Sequence, residues 1–248
     1  MGKQRVNWQE WKAFFAKRAD RPTPNVDHAQ NHVSLPLSLA RSLAIFQLGE
    51  SGGGTIIEQA RASGIAEIND DYADAMALFV AEENRHARIL AECVNALGGD
   101  LIEDNWTAKL FVGARRLIGL RLKVIVLLAA EVVGICYYHL LGQQMPACRA
   151  KDLLAELVRD ETSHLYFHCQ FLRTQTTSIS RQLVFKIVWR MTMLAAAIVV
   201  MIDHRAALRD MSLDVATVWH RWMSYSRLAE QLVVDSRIDE IEFETVRY

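Results

Sequence analysis

The sequence predicts an all-α protein in which a four-helix bundle carries additional N- and C-terminal helices. Apolar residues recur at helical spacing through several long segments. A content of 51% apolar residues in 248 can form the core of one large domain. Glutamate recurs on four of these segments, accompanied by histidine on two of them, in an order that facing helices would bring together. We therefore divide the chain into an N-terminal helix and loop (1–34), the bundle (35–175) and a C-terminal helical extension packed on the bundle (176–248).

The N-terminal segment predicts a short amphipathic helix over residues 7–19. Trp8, Trp11, Phe14 and Phe15 recur at helical spacing, with Lys12 between them and Lys17 and Arg18 after them. We expect this aromatic face to pack against the bundle. A loop that contains two Pro and two Asn follows to residue 34.

The first bundle helix is expected to begin near residue 34 and to carry Glu50 near its end. Gly52-Gly53-Gly54 follows directly. These glycines indicate either a break in the helix or bare backbone that leaves room beside a site. Helical periodicity resumes to about residue 62.

The second bundle helix has clear signals at both ends, because Asn69, Asp70 or Asp71 can cap its start and Gly98-Gly99 can end it. The third and fourth are predicted at about 120–141 and 146–174. A fifth helix at 178–208 and a last one at 214–234 follow. Residues 106–117 form a candidate short helix, and 235–248 a polar tail.

A pattern of Glu-x-x-His occurs twice, as Glu83 with His86 and as Glu161 with His164. Residues three apart lie on the same face of a helix, so each pair directs one carboxylate and one imidazole to a common point. A single copy is weak evidence, because an exposed helix face produces such pairs incidentally. Two copies in one chain favour a common metal site.

Two further glutamates, Glu50 and Glu131, stand alone in apolar surroundings. The four glutamates are separated by 33, 48 and 30 residues. The outer spacings suit helix hairpins, and the middle spacing suits a crossover between two halves. This is the ligand order of a carboxylate-bridged two-metal site in a four-helix bundle. Four carboxylates and two imidazoles favour iron or manganese over softer metals.

The order of these ligands resembles that of the ferritin-like di-iron carboxylate superfamily, over roughly residues 35–175. The stretch from Glu82 to His86 is similar to the first metal motif of the soluble acyl-carrier-protein desaturases, and the stretch from Asp160 to His164 matches their second motif more loosely. The chain is short for a desaturase, so the resemblance extends to the ligands and not to that activity.

The resemblance implies two iron ions, with a manganese–iron pair as an alternative, and dioxygen as co-substrate. It also implies that the six ligands form the catalytic centre, with Glu50 and Glu131 as the terminal and bridging carboxylates of separate helices. Which glutamates bridge stays open. The ligand set is Glu50, Glu83, His86, Glu131, Glu161 and His164.

Two residues are candidates for hydrogen bonds to the ligands. Tyr138 lies two turns beyond Glu131, where it could be a redox-active tyrosine, a hydrogen-bond donor or a core residue. Asp160 directly precedes a ligand, as Glu82 does in the first motif. Carboxylates in such positions orient metal-bound imidazoles.

Two further candidates lie at the fourth and fifth helices. His168, one turn beyond His164, could be an extra ligand, a proton relay or a buried neighbour. Asp203 follows the apolar run of the fifth helix. It could accept a hydrogen bond at the site or serve as a cap or ion-pair partner.

The composition limits the partners of the protein. A net charge of −1 gives no indication of nucleic-acid binding. Arg115, Arg116, Arg121 and Lys123 form the densest basic cluster, which we expect to be a solvated face rather than a docking site for a carrier protein or a phosphate-bearing cofactor.

The four cysteines form no Cys-x-x-Cys pair, which excludes a rubredoxin-like iron domain and indicates packed, reduced thiols. An external reductase or another electron donor is therefore expected. The N-terminal residues lack the apolar run of a signal peptide, and we expect a cytoplasmic protein.

Two long apolar segments require a membrane test. Residues 124–141 contain Glu131, and residues 183–202 contain Lys186 and Arg190. The uncharged run at 191–202 is too short to span a bilayer. We expect both segments to be buried helices, while peripheral membrane contact and a homodimer stay open.

Three functions fit these observations. The first is an oxygen-activating oxidoreductase of the hydroxylase, desaturase or N-oxygenase type, acting on a small or medium apolar organic substrate. The helices beyond the bundle favour it, because they could wall a substrate pocket. The second is a ferroxidase or a peroxide-reducing protein of the ferritin or rubrerythrin type. The third is a non-enzymatic helical scaffold or membrane-peripheral protein with a structural metal site.

Overall fold

The computed structural model describes residues 6–22, 35–51, 55–109, 113 and 119–235, and no strand occurs among them. The three glycines at 52–54, most of the N-terminal loop, much of the candidate helix at 106–117 and the tail from 236 lie outside the described residues. The helices are α1 (Trp8–Arg18), α2 (Leu37–Glu50), α3 (Thr55–Ala62), α4 (Asp70–Ala96), α5 (Leu120–Gln144), α6 (Arg149–Gln175), α7 (Ile179–Asp203), α8 (Arg205–Asp210) and α9 (Val215–Val234).

Helix α4 begins and ends where its sequence signals predict. The Asn69 side chain accepts a hydrogen bond from the Tyr72 amide. Gly98 has a φ of 71°, the left-handed conformation that ends helices. A Cβ on Gly99 would lie 2.4 Å from the Ala40 Cβ, so this glycine lets the end of α4 approach α2 closely.

The prediction of one continuous helix over 178–208 is wrong, because the helix is interrupted at His204, between α7 and α8. The His204 ring is buried, and its Nδ1 lies 2.7 Å from Ser42 Oγ in α2. Its ring also packs on Phe46, with the ring centres 4.7 Å apart. The break allows this ring to turn inward onto α2.

One hydrophobic core extends from α1 to α9. The main packing pairs are α5 with α6, α2 with α4, α1 with α4 and α4 with α6. Trp8, Trp11 and Phe15 of α1 are buried, as their spacing predicts. The N- and C-terminal helices therefore share the core of the central helices.

The described helices α5 and α7 are long and apolar enough to cross a membrane, judged by length and composition. In α5, 83% of the most apolar window is buried inside the protein, as expected. In α7 only 22% of it is buried, so the expectation of a buried helix at 183–202 is wrong. One face of α7 packs on the core through Phe185, Trp189 and Met193, and its other face is exposed.

The expected solvated basic face is also wrong at one position. Lys123 is 2% exposed, and its Nζ lies 3.5 Å from Thr55 Oγ1. Arg121 donates to Gln175 Oε1 at 2.9 Å. Arg115 and Arg116 lie outside the described residues.

Candidate metal centre

The six predicted ligands come from four helices. Two of these helices, α4 and α6, each supply a glutamate and a histidine one turn apart, and α2 and α5 supply one glutamate each. The contributions are Glu50 from α2, Glu83 and His86 from α4, Glu131 from α5, and Glu161 and His164 from α6.

The Nδ1 atoms of both histidines face the glutamates. His164 Nδ1 lies 2.9 Å from Glu83 Oε1, 3.3 Å from Glu161 Oε2 and 3.7 Å from Glu131 Oε2. His86 Nδ1 lies 3.1 Å from Glu161 Oε1 and 3.5 Å from Glu83 Oε1. Glu83, His86, Glu161 and His164 each offer one ligand atom, and these four atoms all lie within 4.8 Å of one another. This buried cluster could hold a metal ion.

The opposite nitrogen of each ring contacts a carboxylate from the facing helix. His164 Nε2 donates to Glu82 Oε2 at 3.0 Å, and His86 Nε2 lies 3.4 Å from Asp160 Oδ2. Glu82 and Asp160 each precede the ligand glutamate of their own helix. The two contacts therefore cross between α4 and α6. An Nε2–H bound in this way directs Nδ1 at the cluster, where a metal ion can replace its proton.

The polar atoms at the centre of the cluster fit a metal ion. Glu83 Oε1, His86 Nδ1 and His164 Nδ1 are buried and have no hydrogen-bond partner of acceptable geometry among the described residues. Buried polar atoms are almost always satisfied in proteins. A cation between them would satisfy all three at once, and the carboxylate and imidazole donors suit iron or manganese.

Glu50 and Glu131 border the cluster. Burial, and then the charges of Glu83 and Glu161, raise the pKa of Glu50 well above its usual range. Burial and the neighbouring Glu161 do the same to the pKa of Glu131. In the metal-free protein both carboxyl groups therefore favour the protonated form, and a bound cation would reverse this preference.

In the two glutamate–histidine pairs, the charged forms of the side chains are favoured instead. Burial opposes charge on all four groups, but their mutual contacts outweigh it. Glu161, Asp160 and Glu83 hold the pKa of His86 well above its usual range. The pKa of His164 is raised in the same way. Burial raises the pKa of Glu83, but His164 and His86 hold it well below its usual range.

Arginines reach the carboxylates behind the histidines, and sequence reasoning missed this role. Arg18 Nε donates to Glu82 Oε1 at 3.0 Å, and the same guanidinium pairs with Asp160. Arg21 donates to Glu82 Oε1 at 2.8 Å and to Asp160 Oδ2 at 2.7 Å. Helix α1 and the residues after it therefore neutralise the two carboxylates that contact the imidazoles. Arg18 and Arg21, which follow the aromatic residues of the N-terminal segment, were the available signal.

Arg85 is a third member of this network. It lies between Glu83 and His86, is 5% exposed, and contacts Asp160 Oδ2 at 3.3 Å and Glu156. The corresponding place in α6 is taken by Ser163, whose Oγ accepts a hydrogen bond from Arg18 Nη1 at 3.0 Å. Arg18 thus supplies from α1 the guanidinium that α6 lacks.

Two of the other candidates lie beside the cluster. Tyr138 is buried and donates a hydrogen bond to Glu50 Oε1 at 3.4 Å. Of the three roles considered for it, this contact agrees with that of a hydrogen-bond donor. His168 Nε2 lies 3.3 Å from Glu131 Oε1 without hydrogen-bond geometry. Burial and the charge of His164 lower the pKa of His168 to about 3, so its ring is neutral.

Asp203, considered as an acceptor at the site or as a cap or ion-pair partner, makes its described hydrogen bond away from the cluster. It lies at the end of α7, and its Oδ2 accepts a hydrogen bond from Thr107 Oγ1 at 2.5 Å. None of the contacts described for Asp203 joins it to the ligands. Its role here is to fix the chain around residue 107 to the end of α7.

An apolar cavity of about 170 Å³ adjoins the cluster. Glu50, Glu83, Glu131 and Glu161 form its polar end. Its other walls come mainly from small and branched apolar residues of α2, α5 and α7, among them Ile45, Gly49, Val126, Leu127, Ala130, Val133, Ala196 and Val199. A cavity of roughly this size holds a molecule such as benzene.

A chain of hydrogen-bonding groups contributes to the cavity wall. Ser42 Oγ lies 2.5 Å from Tyr137 Oη and 2.7 Å from His204 Nδ1. His204 lines the cavity, and burial lowers the pKa of its ring to about 4. The cavity therefore has a neutral imidazole as well as the four glutamates. No local sequence pattern indicates this contact, which joins α2 to the break after α7.

Similarity to known proteins gives no indication of the function. No protein-family model, curated protein or solved structure matches this chain.

Proposed function

We propose that this protein is an oxygen-activating, non-haem di-iron oxidoreductase of ferritin-like fold that acts on a small apolar organic substrate. The observation that carries the proposal is the position of the glutamate–histidine cluster at one end of an apolar cavity. Four glutamates line that cavity, and two buried Nδ1 atoms lacking hydrogen-bond partners face them. A metal site that opens onto apolar space suits the oxidation of an apolar molecule.

The ligands in this proposal are the six predicted residues. His86 would bind one ion and His164 the other, and Glu50, Glu83, Glu131 and Glu161 would complete the set. Two ferrous ions, when bound, supply the electrons for the reduction of dioxygen. A manganese–iron pair would suit the same donors.

The residues of the chain have three tasks. Glu82 and Asp160 keep a proton on the Nε2 atoms and so direct the Nδ1 atoms inward. Arg18 and Arg21 balance the charge of these two carboxylates. The apolar walls exclude water and place the substrate next to the glutamates.

Electrons for repeated turnover must come from outside this centre. The four cysteines are buried and unpaired, and none is among the residues that could form a metal cluster in the described part of the chain. An external reductase, in the cytoplasm, is the donor that fits the proposal.

Iron oxidation for storage is the second candidate, and one experiment separates the two. The protein is loaded with ferrous iron without oxygen and then exposed to oxygen in a stopped-flow spectrometer. The proposal predicts a transient optical band and no uptake of further iron. Oxidation without a transient band, followed by continued uptake of iron, would favour a ferroxidase. Failure to bind iron or manganese in stoichiometric amounts would reject both and leave a helical scaffold.

A further inference from the structure

The exposed face of α7 carries a continuous row of large apolar side chains. We call this row the α7 stripe, and its members are between 39% and 87% exposed. Exposed apolar patches of this extent are rare on monomeric proteins and mark interaction sites. The α7 stripe consists of Ile179, Leu183, Val184, Ile187, Met191, Leu194, Ile198 and Ile202.

The spacing of the stripe is that of a helix that packs on another helix. From Val184 the steps to Ile187, Met191, Leu194 and Ile198 are three, four, three and four residues. Alternation of three and four is the seam of a helix pair, because it keeps the apolar row facing one partner. The small, exposed Ala195 beside Leu194 allows close approach.

The stripe is complementary to itself when two copies of α7 lie antiparallel. If the twofold axis passes near residue 193, Val184 faces the partner's Ile202, Ile187 faces the partner's Ile198, and Met191 faces the partner's Leu194. Each contact then occurs twice, as a twofold interface requires. We infer that a second copy of this chain covers the α7 stripe and that the protein is an antiparallel homodimer through α7.

The size of the stripe is close to what such a dimer needs. The six residues that this alignment pairs expose roughly 600 Å² per copy, and Ile179 and Leu183 extend the stripe beyond them, against the ~800 Å² that each partner buries in a stable interface of standard size. The α7 face that packs inward on its own chain, through Phe185, Trp189 and Met193, is separate from the stripe. A partner can therefore bind without any rearrangement of the core.

A membrane surface fits the stripe less well. Helices that lie on membranes carry Lys and Arg along their length beside the apolar face. Residues 191–202 of α7 contain neither. Of the basic residues in its first half, Arg190 makes two 2.8 Å bonds to Glu230 of α9. Arg181 and Lys186, both in the first half of α7, are left to attract anionic lipids, and no basic residue lies along its second half.

The dimer would also bear on the cavity. Thr192, Ala196 and Val199 of α7 line the cavity and are partly exposed beside the stripe. A second copy on the stripe would cover this side of the protein and restrict entry of water. The inference does not depend on the proposed function, because an antiparallel α7 pair requires no metal.

The first test is the mass in solution. Sedimentation velocity of the full chain should give twice 28.2 kDa, and Leu194→Glu should give a folded monomer. The matched control is Leu101→Glu, because Leu101 is 48% exposed and lies outside α7. It should stay dimeric. A monomeric wild type, or a Leu194→Glu variant that stays dimeric, would overturn the inference.

The second test is the direction of the pair, by cross-linking with a short bis-maleimide. Leu194→Cys lies near the proposed twofold axis and should cross-link between copies. Ile179→Cys lies at the far end of α7 and should not. Cross-linking of the Ile179 variant would indicate a parallel pair and refute the antiparallel one. Flotation of monomeric wild type with phosphatidylcholine–phosphatidylglycerol vesicles, lost in Leu194→Glu, would assign the stripe to a membrane instead.

Discussion

The arginine network behind the histidines offers a demanding prediction, because Arg18 lies outside the ligand set and on a different helix. Its guanidinium contacts Glu82, Asp160 and Ser163, and its side chain is 13% exposed. Arg18→Gln would remove a positive charge from two carboxylates that are 6% and 1% exposed in their side chains. The helix α1 itself should persist, because its aromatic face stays packed.

The loss in stability can be worked from these contacts. Removing one partner of a buried ion pair costs about 3–5 kcal/mol. Arg21 and Arg85 still contact Asp160, so we expect the lower end, about 3 kcal/mol. For a chain of this length, that loss lowers the Tm by about 6 °C. Because Asp160 and Glu82 orient the imidazoles, metal affinity should also fall about 10- to 100-fold.

The assay is thermal unfolding followed by circular dichroism, together with a manganese(II) titration by isothermal calorimetry. Lys12→Gln is the matched control, since Lys12 lies on the same helix and pairs with Asp71 and Asp74 at the surface. Exposed pairs contribute little to stability, so its Tm and affinity should barely change. An Arg18→Gln variant with the same Tm and affinity as wild type would refute the positioning role.

Four further predictions concern the cluster and its cavity. Glu131→Ala should lose the second metal of a pair but keep its helical spectrum, because it removes a ligand and a buried carboxyl group together. His168→Ala should keep both metals, since its neutral ring only approaches Glu131. Gly49→Leu should weaken binding of benzene about tenfold or more. Gly49 lines the cavity, and a Cβ built on it meets no atom within 4 Å, so a leucine side chain would occupy cavity space. The gain in Tm on adding manganese(II) should grow with pH.

The sign of the pH effect follows from the groups with raised pKa values. His86 and His164 stabilise the metal-free fold below their unfolded pKa, and they lose this contribution as the pH rises through their folded values. Glu50 and Glu131 also have raised pKa values and add to the loss as the pH increases. Metal ions compete with the protons on these groups, so they bind more tightly at high pH. The measurement is differential scanning fluorimetry with and without manganese(II).

Specific results would contradict each of these predictions. Unchanged metal content in Glu131→Ala would remove Glu131 from the ligand set, and loss of one metal in His168→Ala would add His168 to it. Gly142→Leu is the control for the cavity, because Gly142 also has open space for a Cβ but does not line the cavity. Equal loss of benzene binding in both glycine variants would argue against the cavity. A Tm gain that shrinks with rising pH would contradict the protonation pattern.

Sequence reasoning reached the helices and the residues of the buried glutamate–histidine cluster because both follow from local spacing. The pattern of Glu83 with His86 needs only the period of one helix, and the cap at Asn69 needs only its neighbours. The same reasoning missed the break in the fifth predicted helix. Residues 178–208 are helical by local preference, and His204 interrupts them for a contact with Ser42 that is 162 residues away in the chain.

The exposed face of α7 and the ion pairs between distant residues could not be predicted from local spacing either. The apolar run of α7 has the composition of a buried helix, and only the positions of α5 and α9 decide which face it exposes. Arg18 pairs with Asp160 across 142 residues. Its spacing on α1 indicates a basic face but cannot name the partner. The crossed contacts behind the imidazoles therefore required the packing of α1, α4 and α6.

The central claim is that the glutamate–histidine cluster holds a pair of iron ions. The most direct measurement is anomalous X-ray scattering at the iron edge from crystals loaded with ferrous iron without oxygen. We predict two peaks between α2, α4, α5 and α6, one next to His86 Nδ1 and the other next to His164 Nδ1. A single peak, or iron bound only elsewhere on the protein, would contradict the di-iron assignment and the oxidoreductase function proposed from it.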